Sequence, residues 1–201
     1  MTQSGFVKNL SAALDDAPPQ QLDNLRQAAV LVLLDYRQGE PEVILTRRAD
    51  HLRLHAGEVA FPGGKCDPED RDHWHTALRE AEEEIELPAA AVQPLGVMPA
   101  LVTRTEYEVV PCVALLRRQV VMKPNPEELD SIFTVPLSYL AQPGRLQLDE
   151  VLYRGRLRLV PRFEYDEYSI WGVTAAMLVK LVNITCDAGL VVEDYWKGEE
   201  Q

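Results

Sequence analysis

Long apolar runs are missing. The longest is Ala28 to Leu34, far short of the about 20 residues a membrane-spanning helix needs, so no such helix and no membrane partner are expected. Cysteine is scarce, and Cys66, Cys112 and Cys186 stand at wide, unrelated spacings. They offer neither a disulfide framework nor a zinc site, which points to a reducing, cytoplasmic setting. The opening MTQSGFVKNL lacks the apolar core and cleavage site of a secretory signal. Positive charge is short as well: 20 Lys and Arg face 32 Asp and Glu, a net charge of −12. Nucleic acid is therefore an unsuitable partner, because its binding needs a positive footprint. Neither G-x-G-x-x-G nor a Walker sequence occurs, which disfavours a dinucleotide fold and a P-loop. Internal repeats and low-complexity segments are absent too.

What is present is an ordinary globular composition, 46% apolar and 26% charged, of a length suited to one domain over residues 1–201. Strands are expected at 28–34, 43–47, 59–61, 92–98, 107–116, 132–135 and 157–163. Gln38-Gly39-Glu40-Pro41 forms a turn between the first two, which suggests a hairpin. A weak helix over 5–15 leads into a connector at 15–20. Helices are expected at 72–85, 136–141 and 173–183. Mixed strands with two main helices indicate the α/β class, with helices packed on a mixed β-sheet.

The acid is concentrated. Residues 67–86 hold nine carboxylates against Arg71 and Arg79, seven of the twelve net negative charges. On a wheel of residues 74–86, Trp74, Ala77, Leu78, Ala81 and Ile85 form an apolar stripe within roughly 60° of Trp74. Glu80, Glu83 and Glu84 share another face, between roughly 180° and 280°. Like charges at i, i+3 and i+4 disfavour a helix, whereas a hard divalent cation such as Mg²⁺ reverses the sign. The plain alternative is a solvated acidic face. Gly63 and Gly64, just upstream, weigh against it. Paired glycines allow a backbone to approach a ligand closely, so this turn can set a phosphate beside a metal cluster.

These residues resemble the box of the Nudix hydrolases, G-x5-E-x7-R-E-U-x-E-E-x-G-U with U apolar. Gly64 matches its first glycine, Arg79-Glu80-Ala81 its R-E-U, Glu83-Glu84 its E-E and Leu87 its last U. Two departures stand out. The Gly64–Arg79 spacing is one residue longer, leaving Asp70 as the nearest stand-in for the early Glu, and Glu86 occupies the late Gly position. The segment from Ile44-Leu45-Thr46-Arg47-Arg48 to Phe61-Pro62-Gly63-Gly64 further resembles the signature of coenzyme A pyrophosphatases, L-L-T-x-R-S-x-x-L-R-x-H-x-G-x-V-x-F-P-G-G, with Ala49 at the Ser position. Weaker matches lie at Glu128–Leu137 and Ile170–Ala175. The resemblance covers about residues 27–185 and leaves 1–24 as an N-terminal extension.

The resemblance implies a Nudix-type α/β/α sandwich that hydrolyses the diphosphate of coenzyme A, or of its thioesters, with Mg²⁺ or Mn²⁺. It assigns Glu80 and Glu84 as metal ligands and Glu83 as a third ligand or the base. Glu128 is a second candidate base, and Arg79 orients its neighbouring glutamates. Arg47, Arg53 and His55 are candidates to hold the substrate's phosphates, with bracing of their own loop as the plain alternative, and Gly63 and Gly64 lie against the substrate. Other outcomes are a Nudix hydrolase of ADP-ribose, NADH or a nucleoside triphosphate, or a catalytically silent binding module. His51, His73 and His75 are read as solvated, Trp171 as core and Cys66 as inert. A homodimer is the common closed assembly.

Overall fold

Strand β1 has apolar side chains on both faces, so it must lie between two layers. The computed structural model describes residues 2–15, 26–36, 39–153 and 155–192. In chain order these form α1 (Gln3–Ala13), β1 (Arg26–Asp35), β2 (Glu42–Arg48), β3 (Val59–Ala60), β4 (Gly63–Lys65) and α2 (His73–Ile85). Next come β5 (Val92–Val97), β6 (Leu101–Val102), β7 (Tyr107–Leu116), β8 (Leu129–Pro136) and α3 (Leu137–Leu140). A second sheet of β9 (Gln147–Tyr153), β10 (Arg156–Tyr165) and β11 (Tyr168–Trp171) precedes α4 (Gly172–Cys186). Residues 16–20 of the expected connector, and Gln38 of the expected turn, lie outside the described residues.

In the main sheet β1 runs parallel to β7, and the other pairings are antiparallel. One edge of β1 is shared: β2 pairs with it at Leu34 and Asp35, and β4 at Ala28 to Val30. Ala29, Leu31 and Leu33 of β1 pack with Ala77, Ala81 and Ile85 of α2. Val32 and Leu34 pack on the opposite side with α4, α1 and the inner face of the second sheet. Helices therefore cover both faces, the α/β/α arrangement expected. Among the described residues, no helix is long and apolar enough to cross a membrane.

Three features depart from the expectation. The glycines after Pro62 do more than stop a strand: they form β4, paired to β1. Strands β6, β9 and β11 were not anticipated, since they are short or alternate with many exposed polar residues. The N-terminal helix, expected to be weak and to run over 5–15, spans Gln3–Ala13 and is docked on the core. Thr2 caps it, Phe6 and Leu10 are buried against the core, and Asp15 exchanges backbone hydrogen bonds with Val97.

Candidate active site

The site begins with how α2 is held. Asp72 caps its first turn by accepting from the His75 N–H. Its last carbonyls are claimed by the loop before β8: Lys123 N–H donates to Ile85 O, and Asn125 N–H to Glu84 O. Glu128 N–H donates to Asn125 O in turn, and Glu128 O accepts from Ala49 N–H. One loop thus satisfies the helix C-terminus and fastens Glu128 beside the residue that follows Arg48.

Arg79 organises the acidic face. Its Nε and Nη2 grip both oxygens of Asp70, at 3.1 and 3.0 Å, and Nη2 also donates to Lys65 O of β4. Its Nη1 reaches Glu80 Oε1 at 3.0 Å and Glu83 Oε2 at 3.3 Å. Every nitrogen of the guanidinium is committed, and the fork ties β4 to α2. Asp70 is only 3% exposed and also accepts from the Thr76 hydroxyl and the Asp67 N–H. The Arg79 guanidinium, with these donors, holds the Asp70 carboxyl well below the usual carboxylate range. Asp70 therefore serves as Arg79's anchor.

The three glutamates divide. Glu84 turns inward, 4% exposed, and its Oε2 accepts from the Gly63 N–H at 3.1 Å. Burial, with Glu80 and Glu128 nearby, pushes its carboxyl up to about 8, against the pull of the Gly63 N–H and Arg48. Glu80 is half-buried and also raised by burial, with Arg79 opposing and Glu83 and Glu128 adding to the rise. Glu83 is 58% exposed on its side chain and leans on Arg79. Glu80, Glu84 and Glu128 thus share one electrostatic neighbourhood, while Glu83 stands at its rim. Gly64 belongs there too: a Cβ on it would run into the Glu80 carboxylate, and one on Gly63 into Ala29 O and Val30 Cα of β1.

The cations that oppose these carboxylates are Arg79 for Glu80 and Arg48 for Glu84. Among the described residues, no three His, Cys, Asp or Glu side chains already form a closed metal cluster. The donors nonetheless fit a hard cation of the Mg²⁺ type, which takes one or two carboxylates and fills its remaining positions with water and substrate phosphate. Glu80 and Glu84, packed against glycine backbone, are the pair that fits.

Arg48 escaped the sequence reading. Its charge bears on Glu84, and its Nε is buried without a hydrogen-bond partner among the described residues. Leaving such a donor unpaired costs free energy. The usable signal was strand alternation, since Ile44 of β2 packs on the α2 side and Arg48 follows it at an even spacing. Arg47 goes elsewhere: its Nη2 and Nη1 bind Asp50 at 2.7 Å and Asp130 at 2.8 Å. A bulge in the β2–β8 pairing lies at Arg47/Arg48. Arg53 is exposed and forms no hydrogen bond or ion pair among the described residues. His55 is exposed, with Nδ1 2.8 Å from Glu58 Oε2.

Other side residues complete the picture. His73 and His75 depart from the solvated state expected for them: His73 Nε2 lies 3.0 Å from Gln27 Oε1, and His75 Nδ1 2.7 Å from Asp70 Oδ1. Trp171 is not core but 42% exposed, because it ends the edge strand β11 just ahead of α4. Burial pushes the Cys66 thiol up, and that of Cys112 to about 12.

Comparison with known proteins bears on this geometry. Residues 25–154 match the NUDIX domain family. The chain belongs to the Nudix family. It is 40% identical, over 178 residues, to a protein of Photorhabdus laumondii named "Uncharacterized Nudix hydrolase NudL", covering 89% of this chain and 95% of that one. A protein of Escherichia coli K12 with the same name is 39% identical over 158 residues, covering 79% and 82% of the two chains. Among solved structures, the Nudix hydrolase RenU of M. smegmatis shares the fold, with a TM-score of 0.52 at 20% identity over 83% of this chain and 89% of that one. The chain is thus a Nudix hydrolase, of a family that generally uses divalent metal ions.

Proposed function

We propose that this Nudix hydrolase cleaves the diphosphate of coenzyme A or an acyl-CoA, giving 3′,5′-ADP and 4′-phosphopantetheine or its acyl form. The observation that carries the reading is the meeting of Glu80, Glu84 and Glu128 with the Gly63-Gly64 strand and the Arg48 charge. Of residues 44–64, which resemble the coenzyme A signature, Arg48, Gly63 and Gly64 lie against Glu80 and Glu84. Glu80 and Glu84 would hold Mg²⁺ or Mn²⁺, with Glu83 as an outer third ligand. When bound, such a cation neutralises diphosphate charge and lowers the pKa of an attacking water. The Arg48 guanidinium, whose charge bears on Glu84, is the candidate partner for diphosphate charge. The Gly63-Gly64 backbone admits that phosphate without a side chain in the way. Arg79 keeps Glu80 and Glu83 in place and touches no substrate, which makes it a positioning residue. Glu128 is the stronger candidate for the base that takes a proton from water, because Glu83 is committed to Arg79. Arg53, exposed on the loop after β2, is the candidate partner for the 3′-phosphate.

The test is turnover of coenzyme A, ADP-ribose, NADH and dATP with Mg²⁺, with Mn²⁺ and with chelator. The expected result is 3′,5′-ADP from coenzyme A, lost with chelator. Glu128→Gln should lower kcat by about 10²–10⁴-fold with an unchanged melting temperature. Release of product only from ADP-ribose, NADH or dATP would overturn the substrate assignment, and wild-type rates in Glu128→Gln would remove it as the base.

A further inference from the structure

A second feature lies on the other face of the same strand end. A cavity of about 430 Å³ opens between the loop after β2 and the tip of the β10–β11 hairpin, lined by Arg47, Ala56, Glu58, Glu167, Tyr168 and Trp171 among others. That size falls within the about 300–1,000 Å³ of small-molecule sites. Its walls are built rather than incidental. Tyr168 stacks on Phe133 of β8 with ring centroids 3.6 Å apart, and its hydroxyl lies 3.3 Å from Ser131 Oγ. The Thr174 hydroxyl pins the start of α4 to Val59 O on the floor at 3.0 Å. Trp171 presents a large aromatic surface that the core does not use.

The charges around it decide what it accepts. Its single guanidinium, Arg47, is already matched by Asp50 and Asp130. Glu58 is shared with His55, and Glu167 is exposed with no hydrogen bond among the described residues. Carboxylates exceed cations, so a phosphate dianion is repelled. A neutral chain with amide N–H and hydroxyl donors, and some apolar bulk to lie on an indole, is matched instead. Arg47 on this cavity and Arg48 on the carboxylate site are consecutive residues, so an extended substrate crossing the strand end meets both.

We infer that this cavity seats the pantetheine arm of the substrate, with Trp171 as its apolar wall and the Glu167 carboxylate as an acceptor for its amide or hydroxyl hydrogens. The inference rests on the coenzyme A reading above and extends it: the neutral arm goes to the Trp171 side, and the 3′-phosphoadenosine end lies outside this cavity.

The experiment titrates pantetheine and 3′,5′-ADP separately onto the full chain by calorimetry, in wild type, Trp171→Ala and Ala56→Phe. Ala56 is exposed on the loop, so the phenylalanine plugs the cavity without touching the core, and it keeps the test valid should Trp171→Ala misfold. Pantetheine affinity is expected to fall at least tenfold in both variants, with 3′,5′-ADP affinity unchanged. The KM for coenzyme A should rise with kcat retained. Undiminished pantetheine binding in the folded variants, absence of pantetheine binding in wild type, or selective loss of 3′,5′-ADP binding would each overturn the assignment. Pantetheine binding that depends on Trp171, in a protein that does not cleave coenzyme A, would uphold the cavity and refute the activity alone.

Discussion

At the scale of single residues, the site depends on atoms that are absent as much as on those present. Gly64 leaves room for the Glu80 carboxylate, and a methyl there would strike it. Gly64→Ala should therefore displace Glu80 while the buried packing of α2 is kept. A shift of about 1 Å in a catalytic group costs about 10²-fold in rate. Steady-state kinetics with Mg²⁺ should show a loss of that order in kcat, with circular dichroism unchanged and a melting temperature near that of wild type. The two adjacent arginines of β2 make the same point. They differ by one position, yet Arg47 is held by two carboxylates and Arg48 keeps a buried Nε without a partner among the described residues.

At the scale of the element, α2 ends in an unusual way. Glu86 adopts a left-handed conformation, φ 54°, and its N–H closes the helix on Ala81 O and Glu82 O. This is the position where the Nudix box has glycine, so the geometry of the helix end survives without the residue that favours it. A side chain in that conformation costs about 1–2 kcal/mol. The exposed pair with Lys123, 3.1 Å, returns little of that. Glu86→Gly should stabilise the protein by about 1 kcal/mol. Differential scanning calorimetry should record a rise of about 2–4 °C in Tm; a fall would show that the Lys123 contact outweighs backbone strain.

For the whole molecule, the Asp70–Arg79 fork joins β4 to α2 and so links the sheet to the helix that carries the glutamates. The folded-state pKa of Asp70 is depressed, so its stabilisation is complete above the ordinary carboxylate value of about 4. It is lost progressively as pH falls below that value toward the folded-state pKa. Denaturant unfolding at pH 7 and at pH 3 should show wild type losing stability across this interval. Asp70→Asn should start about 3–5 kcal/mol less stable at pH 7 and lose less on acidification. Parallel pH profiles of the two proteins would refute the role given to this pair.

Periodicity and spacing settled which segments are strands and helices around residues 28–34, 72–85 and 107–116, because burial on one or both faces leaves a local imprint on the chain. They also placed Glu80, Glu83 and Glu84 on one helix face, since 3.6 residues per turn is a local property. Only the tertiary structure decided which of those carboxylates is buried, because that depends on where Gly63 of a separate strand sets its N–H. It alone brought Glu128 and Arg48 to the site, docked α1 onto the core and opened the Trp171 cavity. Each of these rests on contacts between residues far apart in the chain, which no local pattern encodes.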